Sequence, residues 1–262
     1  MAIISPIQEL WLRVRRSFKD RGLSGTVAYC FEHPSSLVRL ARLLPRYWSV
    51  RRLVPDEFDR RFGLDTATPL RRTELGLDNA NLLYLTAYGA IPENLFHQAM
   101  ERVKDIDFER FTFVDLGSGK GRALFLASEY PFRKIVGVEL SPRLHAIAKQ
   151  NLAKYHNPLQ KCMSLELINE DFVRYRLPDE PLFCFMYNPC EEKIMARLAE
   201  RARESSAKNP RLMYLLYFAP RFGYLWEKAG FEKIAEEGEG NHVTHYCVYR
   251  KSPQEQTTLH TS

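Results

Sequence analysis

Between residues 92 and 252, apolar blocks of strand length alternate with stretches in which apolar residues recur every three or four positions. The blocks are Phe111–Leu116, Ile135–Leu140, Leu165–Ile168, Leu182–Tyr187 and Leu212–Phe218. Before the first block, Pro92 and Asn94 open a helix with Leu95, Phe96, Ala99, Met100 and Val103 on one face. Helical spacing returns over Arg122–Tyr130, after the Ser141-Pro142 start (Leu144, Ile147, Ala148, Leu152), and over Glu191–Ser205 (Ile194, Leu198, Ala202). Continuous apolar strands alternating with helices predict a parallel sheet covered on both faces. The end of the chain breaks the rhythm. A short helix over Phe222–Ala229 stops at Gly230. Phe231–Ala235 and His245–Tyr249 then read as two strands, with the glycine-rich loop Glu236–Asn241 between them, which predicts a final antiparallel hairpin. The fold expected is α/β: a Rossmann-like, seven-stranded, mostly parallel sheet with an antiparallel last strand, plus an N-terminal helical extension.

The extension has its own pattern. Ser5, Pro6 and Gln8 form a helix start, and Ile7, Leu10, Trp11, Val14 and Phe18 follow at helical spacing. A second such segment follows Pro34, with Leu37, Leu40, Ala41 and Leu44 in line. Arginines fill many of the remaining positions. Residues 1–62 hold 12 Lys+Arg against 6 Asp+Glu, whereas the other 200 residues hold 26 of each, so the net charge of +6 sits at one end. Two readings follow. These helices either dock on their own domain with solvated arginines outside, or present a cationic surface to an anionic partner. The expected organisation is a basic helical extension over 1–62, a connecting segment over 63–91 that wraps the domain, the α/β domain over 92–252 and a polar tail over 253–262.

Composition narrows the class. The 262 residues are 45% apolar and 27% charged, which excludes wholesale disorder. The longest apolar run, Leu212–Ala219, is far short of the ~20 residues of a membrane span. The proline-broken start, with Glu9 and Arg13 close behind, is unlike a secretory signal. Five scattered cysteines without a CxxC argue against a disulfide framework or a structural zinc site. A reducing, cytoplasmic location is expected.

The richest chemistry lies in Val114-Asp-Leu-Gly-Ser-Gly-Lys-Gly-Arg122. Gly117, Gly119 and Gly121 sit where a strand turns into a helix, so backbone can approach a ligand closely. The spacing is not the G-x-G-x-x-G of dinucleotide sites, because Arg122 stands where the last glycine belongs, and Val114 excludes a P-loop despite Gly119-Lys120. Asp115 beside the loop repels a pyrophosphate and suits a cation; its other reading is a cap for the next helix. Glu139 ends the next strand, where an acid accepts hydrogen bonds from ribose hydroxyls. Asp171 and Phe172 follow the third strand and offer a carboxylate and an aromatic face, although Glu170 competes with Asp171 and Phe172 also suits the core. Lys120 and Arg122 read as solvated or paired side chains.

With these residues in place, residues ~90–252 resemble the class I S-adenosylmethionine-dependent methyltransferases, chiefly through Asp115-x-Gly-x-Gly-x-Gly121. The resemblance implies that the loop (Asp115, Gly117, Ser118, Gly119, Gly121) holds the methionine part of S-adenosyl-L-methionine, that Glu139 binds ribose, and that Asp171 and Phe172 contact adenine. The stretch Asn79–Pro92 is loosely similar to the pre-domain segment of non-SET protein lysine methyltransferases. That likeness makes Tyr84 and Tyr88 cofactor-contact candidates and the segment a cover for the cofactor.

Asn188-Pro189 after the fourth strand looks like the first half of the [DN]-P-P-[FY] motif of amine methylators, with Cys190 where the second proline would stand. Asn188 and Pro189 are therefore the catalytic candidates, Asn188 also reaching the cofactor, and the expected acceptor is an amine of a protein or small molecule. Nucleic acid is disfavoured, because residues 63–262 are nearly neutral. No general base stands out. Nothing local stabilises a Cys190 thiolate, and His242 with His245 falls short of a metal site. The alternatives are a non-catalytic scaffold with the same body and a working cationic extension, and an aminopropyl transferase using Glu191 and Glu192.

Overall fold

The computed structural model describes residues 56–70, 74–77, 89–187, 189–239 and 244–253. The two predicted N-terminal helices, Tyr84, Tyr88, Asn188, His242 and the tail from 254 onward lie outside the described residues.

Helix α1 (Glu57–Phe62) comes first, then α2 (Glu93–Glu101). The sheet follows: β1 (Thr112–Leu116), β2 (Lys134–Glu139), β3 (Leu165–Asn169), β4 (Leu182–Tyr187), β5 (Met213–Phe218), β6 (Glu232–Glu237) and β7 (Tyr246–Lys251). The helices between strands are α3 (Arg122–Ala127), α4 (Pro142–Lys154), α5 (Glu192–Lys208) and α6 (Gly223–Lys228). The start of α4 is built as its sequence predicts: Pro142 opens it and the Ser141 hydroxyl accepts the Leu144 N–H at 3.2 Å.

The strands lie in the order β3-β2-β1-β4-β5-β7-β6. All pairings from β3 to β5 are parallel, and β7 is antiparallel to both β5 and β6. In strand number, direction and final hairpin, the sheet is what the resemblance to class I methyltransferases implies. Alternation along the central strands sorts side chains to two cores. Val114, Leu116, Cys184 and Met186 pack with Met195, Leu198 and Trp226 on one face. Phe113, Phe183 and Phe185 pack with Phe96, Met100 and Leu124 on the other. Phe58 of α1 belongs to this second core, with Phe62 and Leu64 packed against it. The third strand departs from expectation. Its apolar sequence predicted full burial, yet β3 is only partly covered because it forms a sheet edge. No helix among the described residues is long and apolar enough to cross a membrane.

Candidate cofactor site

After β3 the chain returns across the sheet to form β4 on the far side of β1. The loops leaving β1 and β4 thus diverge, and a cleft opens at the carboxyl ends of the strands. The cleft encloses about 800 Å³ of empty space, open solvent at its mouth included.

Its floor is the glycine turn. Gly117, Gly119 and Gly121 have φ of 95°, 56° and 92°, a left-handed backbone that side chains resist. Space is short as well, because a Cβ on Gly117 would lie 3.1 Å from the Pro189 Cβ. The turn is fixed from β2. The Gly117 and Ser118 N–H groups both donate to the Val138 carbonyl, at 2.9 and 3.1 Å. Gly119 donates to Glu139 Oε2 at 2.8 Å, and Ser141 to Glu139 Oε1 at 2.6 Å. Each carboxylate oxygen keeps a second lone pair, so Glu139 can still accept from a ligand. Ser118 lines the cleft; its hydroxyl is buried without a hydrogen-bond partner and sits against Gly137 of β2.

Asp115 and Glu139 both line the cleft and both are buried. Burial pushes the Asp115 carboxyl well above its usual range, and the nearby Glu139 charge pushes it further. Burial also raises Glu139, against the opposing pull of the Ser141 and Gly119 N–H groups. Asp115 does not cap the next helix: the residue before α3 is Gly121, and no side chain caps there. Among the described lining residues Arg122 is the one cation, and its guanidinium is engaged elsewhere: Nη2 lies 2.6 Å from Asp56 Oδ1 and 3.2 Å from Asp59 Oδ1.

Beyond the turn, Phe172, Leu140 and Leu144 line the cleft, and Phe185, Tyr187 and Pro189 line it on the β4 side. Asp171 is not among the lining residues. Its carboxylate accepts the Val173 N–H at 2.9 Å and so fixes a turn that positions Phe172. Leu75, Ile91 and Phe185 also line the cleft and carry no chemical signal in the sequence. Phe185 was findable in one respect only, since it pairs with Asp115 across β1 and β4.

Lys120 and Arg122 are paired and fully or almost fully buried. Lys120 Nζ donates to Asp65 Oδ1 at 2.8 Å and to the Thr68 carbonyl at 2.9 Å. Arg122 Nε donates to the Thr66 hydroxyl at 2.5 Å, and its guanidinium carbon lies 4.4 Å from the Phe58 ring centroid. Asn151 joins the same arrangement, accepting from the Asp65 N–H and donating to the Asp65 and Lys120 carbonyls.

Two other candidates have no part in the cleft. The Cys190 thiol is buried and pushed up to about 12, first by burial and then by the charges of Glu191 and Asp171, so it is no thiolate nucleophile. His245 Nε2 lies 2.9 Å from Glu236 Oε1 on the terminal hairpin.

No protein-family model matches the chain, and no curated protein matches it in sequence. Solved structures are similar to it. One is the ribosomal protein L11 methylase from Lactobacillus delbrueckii subsp. bulgaricus, at 13% identity over 62% of this chain and 79% of that chain, TM-score 0.44. Another is the glycopeptide N-methyltransferase MtfA complexed with (S)-adenosyl-L-methionine, at 13% identity over 63% and 95%, TM-score 0.47. The 23S rRNA methyltransferase ErmE is similar at 14% identity over 64% and 70%, TM-score 0.44.

Proposed function

We propose that the cleft binds S-adenosyl-L-methionine and that the protein is a methyltransferase. The observation that carries this reading is the pairing of two buried carboxyls, Asp115 and Glu139, with a side-chain-free turn. Such a cleft favours a ligand that brings positive charge and hydroxyl donors, and it disfavours phosphate. The glycine turn would cradle the methionine part, with Asp115 facing the cationic groups. Glu139 would accept the ribose hydroxyls, and the adenine ring would lie against Phe172, Leu140 and Leu144.

When bound, the cofactor supplies a sulfonium methyl group that passes to a nucleophile by in-line displacement. The chain's share is positioning. Phe185, Tyr187 and Pro189 line the β4 side of the cleft, and an acceptor would be held against them. Holding an acceptor ~3–3.5 Å from the methyl can remove roughly 7–11 kcal/mol of the barrier. Asn188 and Pro189 are the proposed acceptor-binding residues, and the proposed acceptor is an amine of a protein or small molecule. The near neutrality of residues 63–262 supports this over nucleic acid.

The test is transfer of a labelled methyl group from S-adenosylmethionine to fractionated lysate proteins, small molecules and RNA. Label is expected in the protein or small-molecule fraction. Cofactor binding without transfer to any fraction would favour the scaffold reading instead.

A further inference from the structure

The glycine turn carries two cations, Lys120 and Arg122, on either side of Gly121. In a phosphate-binding loop, residues so placed turn toward the ligand and neutralise its oxygens. Here both turn away, onto the segment that precedes the α/β domain. Lys120 is fully buried on Asp65 and the Thr68 carbonyl, and Arg122 is held by Asp56, Asp59 and Thr66 over the Phe58 ring. Among the described lining residues the charged groups are Asp115, Glu139 and Arg122, and the Arg122 guanidinium is held by Asp56 and Asp59.

We infer that Asp56, Asp59 and Asp65 are ligand-specificity residues: they cancel the charges of Lys120 and Arg122 and leave the cleft with a negative field that selects a cationic nucleoside over a phosphorylated one. The inference rests on the reading of the cleft as a S-adenosylmethionine site. Two cations flanking a side-chain-free turn attract anions, while the Gly117, Ser118, Gly119 and Gly121 N–H groups of the turn itself donate within the protein. Three carboxylates on the preceding segment reverse the balance without entering the cleft. Their placement also explains why a sequence carrying Gly119-Lys120 need not bind phosphate. Arg61 of α1 is itself paired with Glu93 at 2.6 Å.

A purely mechanical role for these contacts predicts different variants to fail. The comparison uses the full chain, calorimetry at low salt, and two probes, S-adenosylmethionine and ATP without metal. Wild type is expected to bind the first and not the second. Asp65→Asn removes the carboxylate charge that lies 2.8 Å from Lys120 Nζ, so it is expected to weaken S-adenosylmethionine by roughly tenfold, the scale of one unit charge near a partly desolvated site. The same variant is expected to gain measurable ATP binding. Lys120→Met, alone or together with Asp65→Asn, removes the cation and is expected to keep S-adenosylmethionine within about threefold of wild type, with ATP still excluded. A mechanical clamp predicts the opposite, since both Lys120 variants break the contact and both would bind the cofactor weakly. That result overturns the inference, as does an Asp65→Asn variant with an unchanged ratio of the two affinities. If Asp65→Asn does not fold, Lys120→Met alone still decides, because the two accounts give it opposite signs. Wild type that binds neither probe points instead to failure of the methyltransferase reading.

Discussion

The Glu139 carboxylate at the tip of β2 receives the Gly119 N–H at 2.8 Å, so the acid proposed to bind ribose also holds the turn proposed to cradle methionine. One residue therefore links the two halves of the cleft. Glu139→Ala leaves the Gly119 and Ser141 N–H groups unsatisfied in a buried place. Each such group costs about 1–3 kcal/mol. The variant is expected to melt earlier and to lose cofactor affinity by more than tenfold. Glu139→Gln keeps an acceptor oxygen and is expected to fall between the two. Calorimetry and thermal melting check both.

Asp115 gives the unliganded protein a pH dependence of definite sign. Its carboxyl titrates well above the ordinary value of 3.8 because it is buried beside Glu139. A raised folded pKa stabilises the protein below the unfolded pKa, and that contribution is lost as pH rises through the folded value. Asp115→Asn removes the loss. Its melting temperature is expected to gain on wild type as pH rises from about 4 through the raised value, and a constant difference across that range contradicts the account. Cofactor affinity of wild type is expected to strengthen over the same range, as Asp115 ionises.

Gly137 supports the site from below. A Cβ there would lie 2.5 Å from Leu124 Cδ1 and 2.9 Å from Ser118 Oγ. Gly137→Ala must therefore push α3 and the glycine turn off β2. Overpacking of this kind costs ~1–3 kcal/mol. The expected outcome is a lower melting temperature together with weaker cofactor binding, measured on the same sample.

Cys190 follows the proposed acceptor residues but is a buried thiol pushed up to about 12. Cys190→Ala is expected to retain methyl transfer within a few fold of wild type. Native protein treated with a thiol alkylating reagent near pH 8 is expected to stay unlabelled at Cys190, as read by mass spectrometry of its peptide.

Local sequence carries the turn and the acids because each has a local cause. Three glycines at a strand-to-helix junction declare a left-handed backbone, and Glu139 declares itself by ending a strand. The surroundings have no such cause. Lys120 pairs with a residue 55 positions earlier, in the stretch expected to connect, and Arg122 with residues 63 and 66 positions earlier, in the stretch expected to be a basic extension. Leu165-Glu-Leu-Ile168 does not declare that β3 is an edge strand, because strand order in a sheet is set by long-range packing rather than by local pattern. Phe185 and Ile91 look like ordinary core residues until the topology brings them to the cleft. The Asp171 carboxylate accepts the backbone N–H two residues on, a role that no pattern in the sequence declares.

The most direct measurement is calorimetric titration of the full chain with S-adenosylmethionine, alongside Gly119→Arg and a competing dinucleotide. The account predicts saturable binding to wild type, no measurable binding to Gly119→Arg, and no competition by the dinucleotide. Absence of binding to folded wild type, or displacement by the dinucleotide, would contradict it.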